Sequence, residues 1–401
     1  LTTFNPIQTQ VFSTVYESDA NVLVAARSGA GKGVIGELAL LRLFATQPGA
    51  KALYVCPVKA VCEQKRARWQ ALFAPLEKTV GVLSGDARED TATLAACDVV
   101  IALPEHLDAY TNRGLHMKLI QQIHLVLIDK LHMIGSADGH LLEIAISRLR
   151  AMEAQTKADP AARFHLKFRY VALSACLANA RAVAGWLGVD KGLFSFHSSV
   201  KVNPVQVRVQ SFDVNHAGMR LLAMSKPVFQ SVAALAADKA ALVFVPSRKQ
   251  AQMTAIDILT FVSVTSRPRR FNHIPEEKME GVLSHVVDPA LKTVLAAGVA
   301  FYFKGMNAAD AQLVLELYKN DWIQVLVTTA ELCWELELAA HLVIVMDTCF
   351  YDGKEHRHVD YPIVDILQMI GFASRSPKYG SGKVVVMAHT SRKAYLNKFL
   401  F

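Results

Sequence analysis

Asn21-Val22-Leu23-Val24-Ala25-Ala26-Arg27-Ser28-Gly29-Ala30-Gly31-Lys32-Gly33 decides how the first half of this chain folds. An apolar, β-branched run is followed by a Gly-Ala-Gly turn, after which Val34 to Ala45 takes up helical spacing. A strand, a glycine loop and a helix in that order present backbone N–H groups and a helix N-terminus to phosphate oxygens, with Lys32 reaching the terminal phosphates. Position 33 breaks the pattern. A phosphate loop of this kind holds magnesium with a Ser or Thr hydroxyl there, and this chain has glycine.

Working outward, short apolar runs recur at Ala52–Val55, Val80–Leu83, Val99–Ile101, Leu125–Ile128 and Tyr170–Leu173, with helical patterns such as Gln64–Phe73 and Glu143–Met152 between them. This is the cadence of a parallel sheet. It restarts with Val205–Val209, Ala241–Val245, Val325–Val327, Leu342–Val345 and Val384–Met387. The expectation is an α/β fold of two domains, 1–200 and 201–401, with the boundary near 198–206 and the phosphate loop only in the first. Paired sheets of this kind suggest a nucleotide clamped across their cleft.

The 401 residues suffice for two ordinary cores, and 52% hydrophobic with 19% charged residues describes a globular chain. No run approaches the roughly 18 apolar residues of a membrane helix, so no membrane partner is expected. A net charge of +8 permits an acidic partner such as RNA. Six cysteines lack any C-x-x-C pair and lie mostly in apolar runs, as reduced core thiols in an intracellular compartment would. The chain begins at Leu1 directly in patterned sequence and reads as a part of something larger. The histidines have no ligand spacing for a metal.

Five motifs then occur in order: Phe4-Asn5-Pro6-Ile7-Gln8, the phosphate loop, Asp129-x-x-His132, Ser174-Ala175-Cys176, and Gln368-Met369-x-Gly371-x-x-x-Arg375. Together they resemble the superfamily-two DExH-box helicases. More narrowly, Phe4 to Phe12, Val245-Pro246-Ser247-Arg248-Lys249-Gln250 and Asp360 to Met369 are similar to the tandem-cassette RNA helicases of the spliceosome, specifically a C-terminal cassette, with the signal-cointegrator type as the alternative. The resemblance implies two RecA-like domains, ATP and magnesium as cofactors, and a nuclear location. Its partners would be an active N-terminal cassette of the same polypeptide, spliceosomal proteins and RNA. By the same resemblance Phe4 and Gln8 hold the adenine, Gly29, Ala30, Gly31, Lys32 and Gly33 the phosphates, Asp129 the metal, and Arg375 the nucleotide. His132 belongs to the catalytic set, and Pro57, Pro104 and Arg248 lie on the RNA path.

The departures cluster on that chemistry. Lys130 stands where the family has the glutamate that positions attacking water; an ammonium accepts no proton and repels the metal by several kcal/mol at an effective dielectric of roughly 20. Phe372 replaces the first arginine of its motif, Cys176 a Thr or Ser, and Glu335 and Glu337 put carboxylates on the RNA path. Leu103 stands in place of a Thr, and Phe303-Lys304-Gly305 departs from H-x-G. A strand-separating hairpin is expected within Phe350–Tyr361, a solvated basic loop at Arg267–Arg270, and a turn at Pro377–Gly382. Three readings follow: a degenerate cassette that regulates and docks, an active helicase with a replacement base, or a module that binds nucleotide without turnover.

Overall fold

In the computed structural model, which describes residues 3–112, 117–136, 139–158, 165–197, 200, 203–265, 269–375 and 379–400, the apolar runs become strands, most of them covered on both faces. Two compact units result, Leu1–Val202 and Asn203–Phe401. The first contains a seven-stranded parallel sheet of β1 (Val22–Ala25), β2 (Lys51–Val55), β3 (Val80–Val82), β4 (Val99–Ala102), β5 (Ile123–Ile128), β6 (Arg169–Ser174) and β7 (Leu193–Ser195). Their spatial order is β3-β4-β2-β5-β6-β1-β7.

Alternation along each strand feeds two cores, one per face. Val22, Val24 and Tyr54 point to the side packed by the helices α1 (Pro6–Phe12), α2 (Lys32–Thr46) and α3 (Lys59–Phe73), where Trp69 and Phe73 are also buried. Leu23, Leu53 and Val126 point to the other side, against Leu142 and Ile146 of the helix Gly139–Ala158. Parallel sheets need this double cover, which is why their strands read as continuous apolar runs.

The second unit repeats the plan with β8 (Val205–Phe212), β9 (Ala241–Val245), β10 (Val299–Tyr302), β11 (Val325–Thr329), β12 (Leu342–Met346), and β15 (Gly382–His389), ordered β10-β11-β9-β12-β15-β8. An antiparallel hairpin, β13 (Cys349–Asp352) with β14 (Arg357–Asp360), follows β12 where the sequence predicts one. Its root is a buried ion pair: Asp347 accepts from Arg220 at 2.8 Å, and Thr348 N–H closes on the other Asp347 oxygen.

Three expectations need adjustment. β7 and β10 are strands the periodicity does not announce; both are short sheet edges with one neighbour each. Cys176 is exposed and Cys97 and Cys349 are half-buried, so only Cys56, Cys62 and Cys333 are core thiols. Arg267 of the basic loop and Pro377 of the expected turn lie outside the described residues, as does part of the 198–206 boundary. The described Arg269 pairs with Glu276, and Arg270 donates to Ala233 O. Among the described residues no helix is long and apolar enough to cross a membrane.

Candidate nucleotide site

In open α/β sheets, ligands sit beyond the carboxyl ends of the strands. At those ends in the first unit β1 delivers the phosphate loop, β5 delivers Asp129, and β6 delivers Ser174 and Ala175. The three strands are neighbours, because β6 pairs with both β1 and β5.

The loop turns through Gly29 at φ +84° and Gly31 at φ +78°, a region other residues enter only under strain. Gly31 is also required by space: a Cβ there would stand 2.5 Å from Gln8 Nε2 and 2.9 Å from Asn5 Nδ2. Those two carboxamides clip the loop, Gln8 Nε2 donating to Gly31 O at 3.1 Å and Asn5 Nδ2 to Ala30 O at 3.1 Å. The same pair caps α1 reciprocally, with Gln8 N–H on Asn5 Oδ1 and Asn5 N–H on Gln8 Oε1. Gln8 is therefore buried with both ends of its carboxamide engaged by the protein, where the resemblance implies an adenine reader. Phe4 is 41% exposed and rests against Phe12, leaving its ring available to a base. Lys32 opens α2, and its ammonium donates to Ala26 O at 2.6 Å and Arg27 O at 2.8 Å.

At the end of β5 the chemistry has changed. Asp129 is buried, and both its oxygens accept from the protein: Oδ2 from Tyr54 OH at 2.7 Å, Oδ1 from Lys130 N–H at 2.8 Å. Burial works against its charge, yet Lys130, Lys65 and these hydrogen bonds outweigh it and hold the carboxyl below the usual range. Lys130 itself takes a left-handed backbone at φ +55°, from which the 3₁₀ turn Leu131–Gly135 starts. His132 accepts the Ala175 N–H on Nδ1 at 2.9 Å, tying the end of β5 to the end of β6. Burial first, then Lys130 and Lys32, bring its pKa down to about 4, so the ring is neutral at pH 7. The accepting Nδ1 places its proton on Nε2.

One residue of this corner belongs to none of the motifs. Lys65, from the middle of α3, brings its ammonium to 3.2 Å from where a Cβ at position 33 would stand. It lies over the Trp69 ring at 5.1 Å and 4.0 Å from Glu37, whose carboxylate also takes Arg68 at 3.0 Å and Trp69 Nε1 at 3.2 Å. The approach depends on how α3 packs against α2, and no local sequence signal encodes that.

Magnesium does not fit this arrangement. It asks for near-octahedral oxygens at about 2.0–2.1 Å. Position 33 offers no hydroxyl, Asp129 already accepts one hydrogen bond on each oxygen, which leaves a single lone pair on each, and the Lys65 ammonium stands where the magnesium-holding side chain would be. The loop shape needed for phosphate, by contrast, is intact in Gly29 and Gly31. Ser174 Oγ, wholly buried beside the start of the loop, has no hydrogen-bond partner.

In the second unit Arg375 stacks on Phe372, its guanidinium carbon 3.8 Å from the ring centre, and donates to Leu336 O at 3.0 Å. Burial lowers its pKa to about 10. Phe372 is fully buried, edge-on to Phe244. Arg248 begins the helix Arg248–Ser263 and reaches Gly305, while Lys304 pairs with Glu335 at 3.6 Å, so two of the departures from the family motifs face each other. An open cavity of about 540 Å³ lies beside Arg248, between Trp334, Phe350, Tyr361 and Asp365. In the first unit Pro57 follows β2, and Pro104 is the first residue of the helix Pro104–Asn112.

A profile of the DEAD/DEAH box helicases matches residues 5–183. The chain is 41% identical over 398 residues to the U5 small nuclear ribonucleoprotein 200 kDa helicase of Drosophila melanogaster and 40% identical over 400 residues to the human protein of that name. It is 37% identical over 400 residues to human activating signal cointegrator 1 complex subunit 3. Each alignment takes in 99% of this chain and 18% of the relative, so the chain spans less than a fifth of their length.

Proposed function

We propose that this chain, whose residues 5–183 match the DEAD/DEAH box helicases and which is similar along its length to helicases of the U5 200 kDa and signal-cointegrator type, is a degenerate cassette without ATP hydrolysis. It serves as a regulator and docking platform beside an active N-terminal cassette of the same polypeptide, among spliceosomal proteins and RNA in the nucleus. The observation that supports the loss of hydrolysis is Lys130 at the end of β5, its charge acting on the buried Asp129 carboxyl, whose two oxygens each already accept one hydrogen bond from the protein. Without a carboxylate at 130 no group stands ready at that position to orient or deprotonate water. The whole relatives' names speak of a U5 ribonucleoprotein and a cointegrator complex, and the similarity favours the first by a few per cent identity.

The test is phosphate release from ATP by the purified chain with magnesium and single-stranded RNA. We expect a rate equal to that of Lys32→Ala. Turnover clearly above that control overturns the proposal. Intact loop glycines support one further element, nucleotide binding without turnover, with Phe4 against the base and Lys32 at the phosphates.

A further inference from the structure

We infer that the corner between α2, α3 and the end of β5 takes the triphosphate chain of a nucleotide without a divalent metal, Lys65 and Lys130 supplying the positive charge. The inference rests on the reading of the cassette as non-hydrolysing and names what its site still binds.

Three observations converge on it. The ammonium of Lys65 faces position 33, the residue whose hydroxyl would hold magnesium in a hydrolysing P-loop, and here glycine leaves that space to the lysine. Around the corner Glu37 is shared among Arg68, Trp69 and Lys65, and Lys130 and Lys65 both act on the buried Asp129 carboxyl. Lys65 belongs to the buried framework: its side chain is only 12% exposed and lies over Trp69. The phosphate-shaped loop beside it is kept by Gly29, Gly31 and their carboxamide clip.

An ammonium neutralises phosphate charge as a metal does, yet it neither polarises a bound water nor bridges two phosphates in fixed octahedral geometry. Binding is thus retained while the chemistry of turnover is not. Metal-free ATP carries more negative charge than its magnesium complex, so this corner should prefer the free form.

Calorimetric titration of the 401-residue chain with ATP, and separately with inorganic tripolyphosphate, in EDTA and in excess magnesium, tests this. We expect both ligands to bind in EDTA, ATP at least as tightly as with magnesium. Lys65→Met should weaken the EDTA binding about tenfold or more, and Lys65→Arg should largely retain it. Lys130→Gln should act in the same direction should Lys65→Met fail to fold, and thermal melts of the ligand-free variants separate loss of fold from loss of ligand. Binding that requires magnesium, no heat in either buffer, ATP binding without tripolyphosphate binding, or unchanged EDTA affinity in folded Lys65→Met and Lys130→Gln each overturn the inference. None of these touches the proposed lack of hydrolysis, which phosphate release alone decides.

Discussion

Gly33 and Lys130 sit half-buried at the lip of a loop whose backbone is otherwise held in place, whereas Phe372 has been taken into the body of its unit, with the half-buried Arg375 laid across its ring. The first pair differ from a working ATPase in the groups they present. The second pair differ in what they hold together: Phe372 fills the space against Phe244, and Arg375 covers that ring while pinning the carbonyl of Leu336. On the proposed non-hydrolysing reading, a group missing at the lip can be reinstated by substitution, whereas one replaced within the core also serves packing, and restoring it disrupts that packing.

The widest gap between the two regions should appear on restoring the arginine. Phe372→Arg puts a guanidinium where no exposed surface exists and removes the ring on which Arg375 rests, so we expect the second unit to lose about 4 kcal/mol in urea unfolding. A loss under about 1 kcal/mol would remove the contrast. In the first unit the next effect is on pH. His132 has a folded pKa of about 4 against the ordinary 6.5, so its contribution is complete above about pH 6.5 and is lost as the pH falls toward 4. That is up to about 3 kcal/mol, and His132→Gln, which keeps an acceptor for Ala175 N–H, should flatten this part of the stability profile. The smallest effect belongs to Gly33→Thr. Its Cβ would meet only the Lys65 ammonium, at 3.2 Å, which a shift of a few tenths of an ångström relieves, so stability should change by less than about 1 kcal/mol. A larger loss would mean that position 33 is itself locked into the packing.

How much of this could be read from residue order follows the same division. The central strands were legible because burial on both faces makes each a short run of Val, Leu and Ile; the loop was legible because Gly-Ala-Gly-Lys between a strand and a helix has few other uses. β7 and β10 were not, since an edge strand of three or four residues leaves little periodicity to find. Within the site, the motif positions mark where the chain passes but not what faces what. Nothing around Lys65 marks it as a neighbour of Gly33, and nothing in Gln368-Met369-x-Gly371-x-x-x-Arg375 says that its arginine lies on its own phenylalanine. The first joins α3 to α2, which local spacing does not connect; the second is an i, i+3 contact on one helical turn, which spacing permits without specifying. The departures at Lys304 and Glu335 look independent in sequence; in the fold they form one exposed ion pair of small energetic weight.

The carboxamide clip has a consequence for how the first unit breathes. α1 has seven residues, too few to persist as a helix without tertiary support, and what fixes it is burial of Ile7 and Val11 together with the two carboxamides on the carbonyls of Ala30 and Gly31. Loss of the helix therefore frees those loop carbonyls, and distortion of the loop strips the helix of its anchor. The two segments should open as a single event, so that amide protons of Thr9 and Val34, on either side of the clip, exchange with solvent at a common rate.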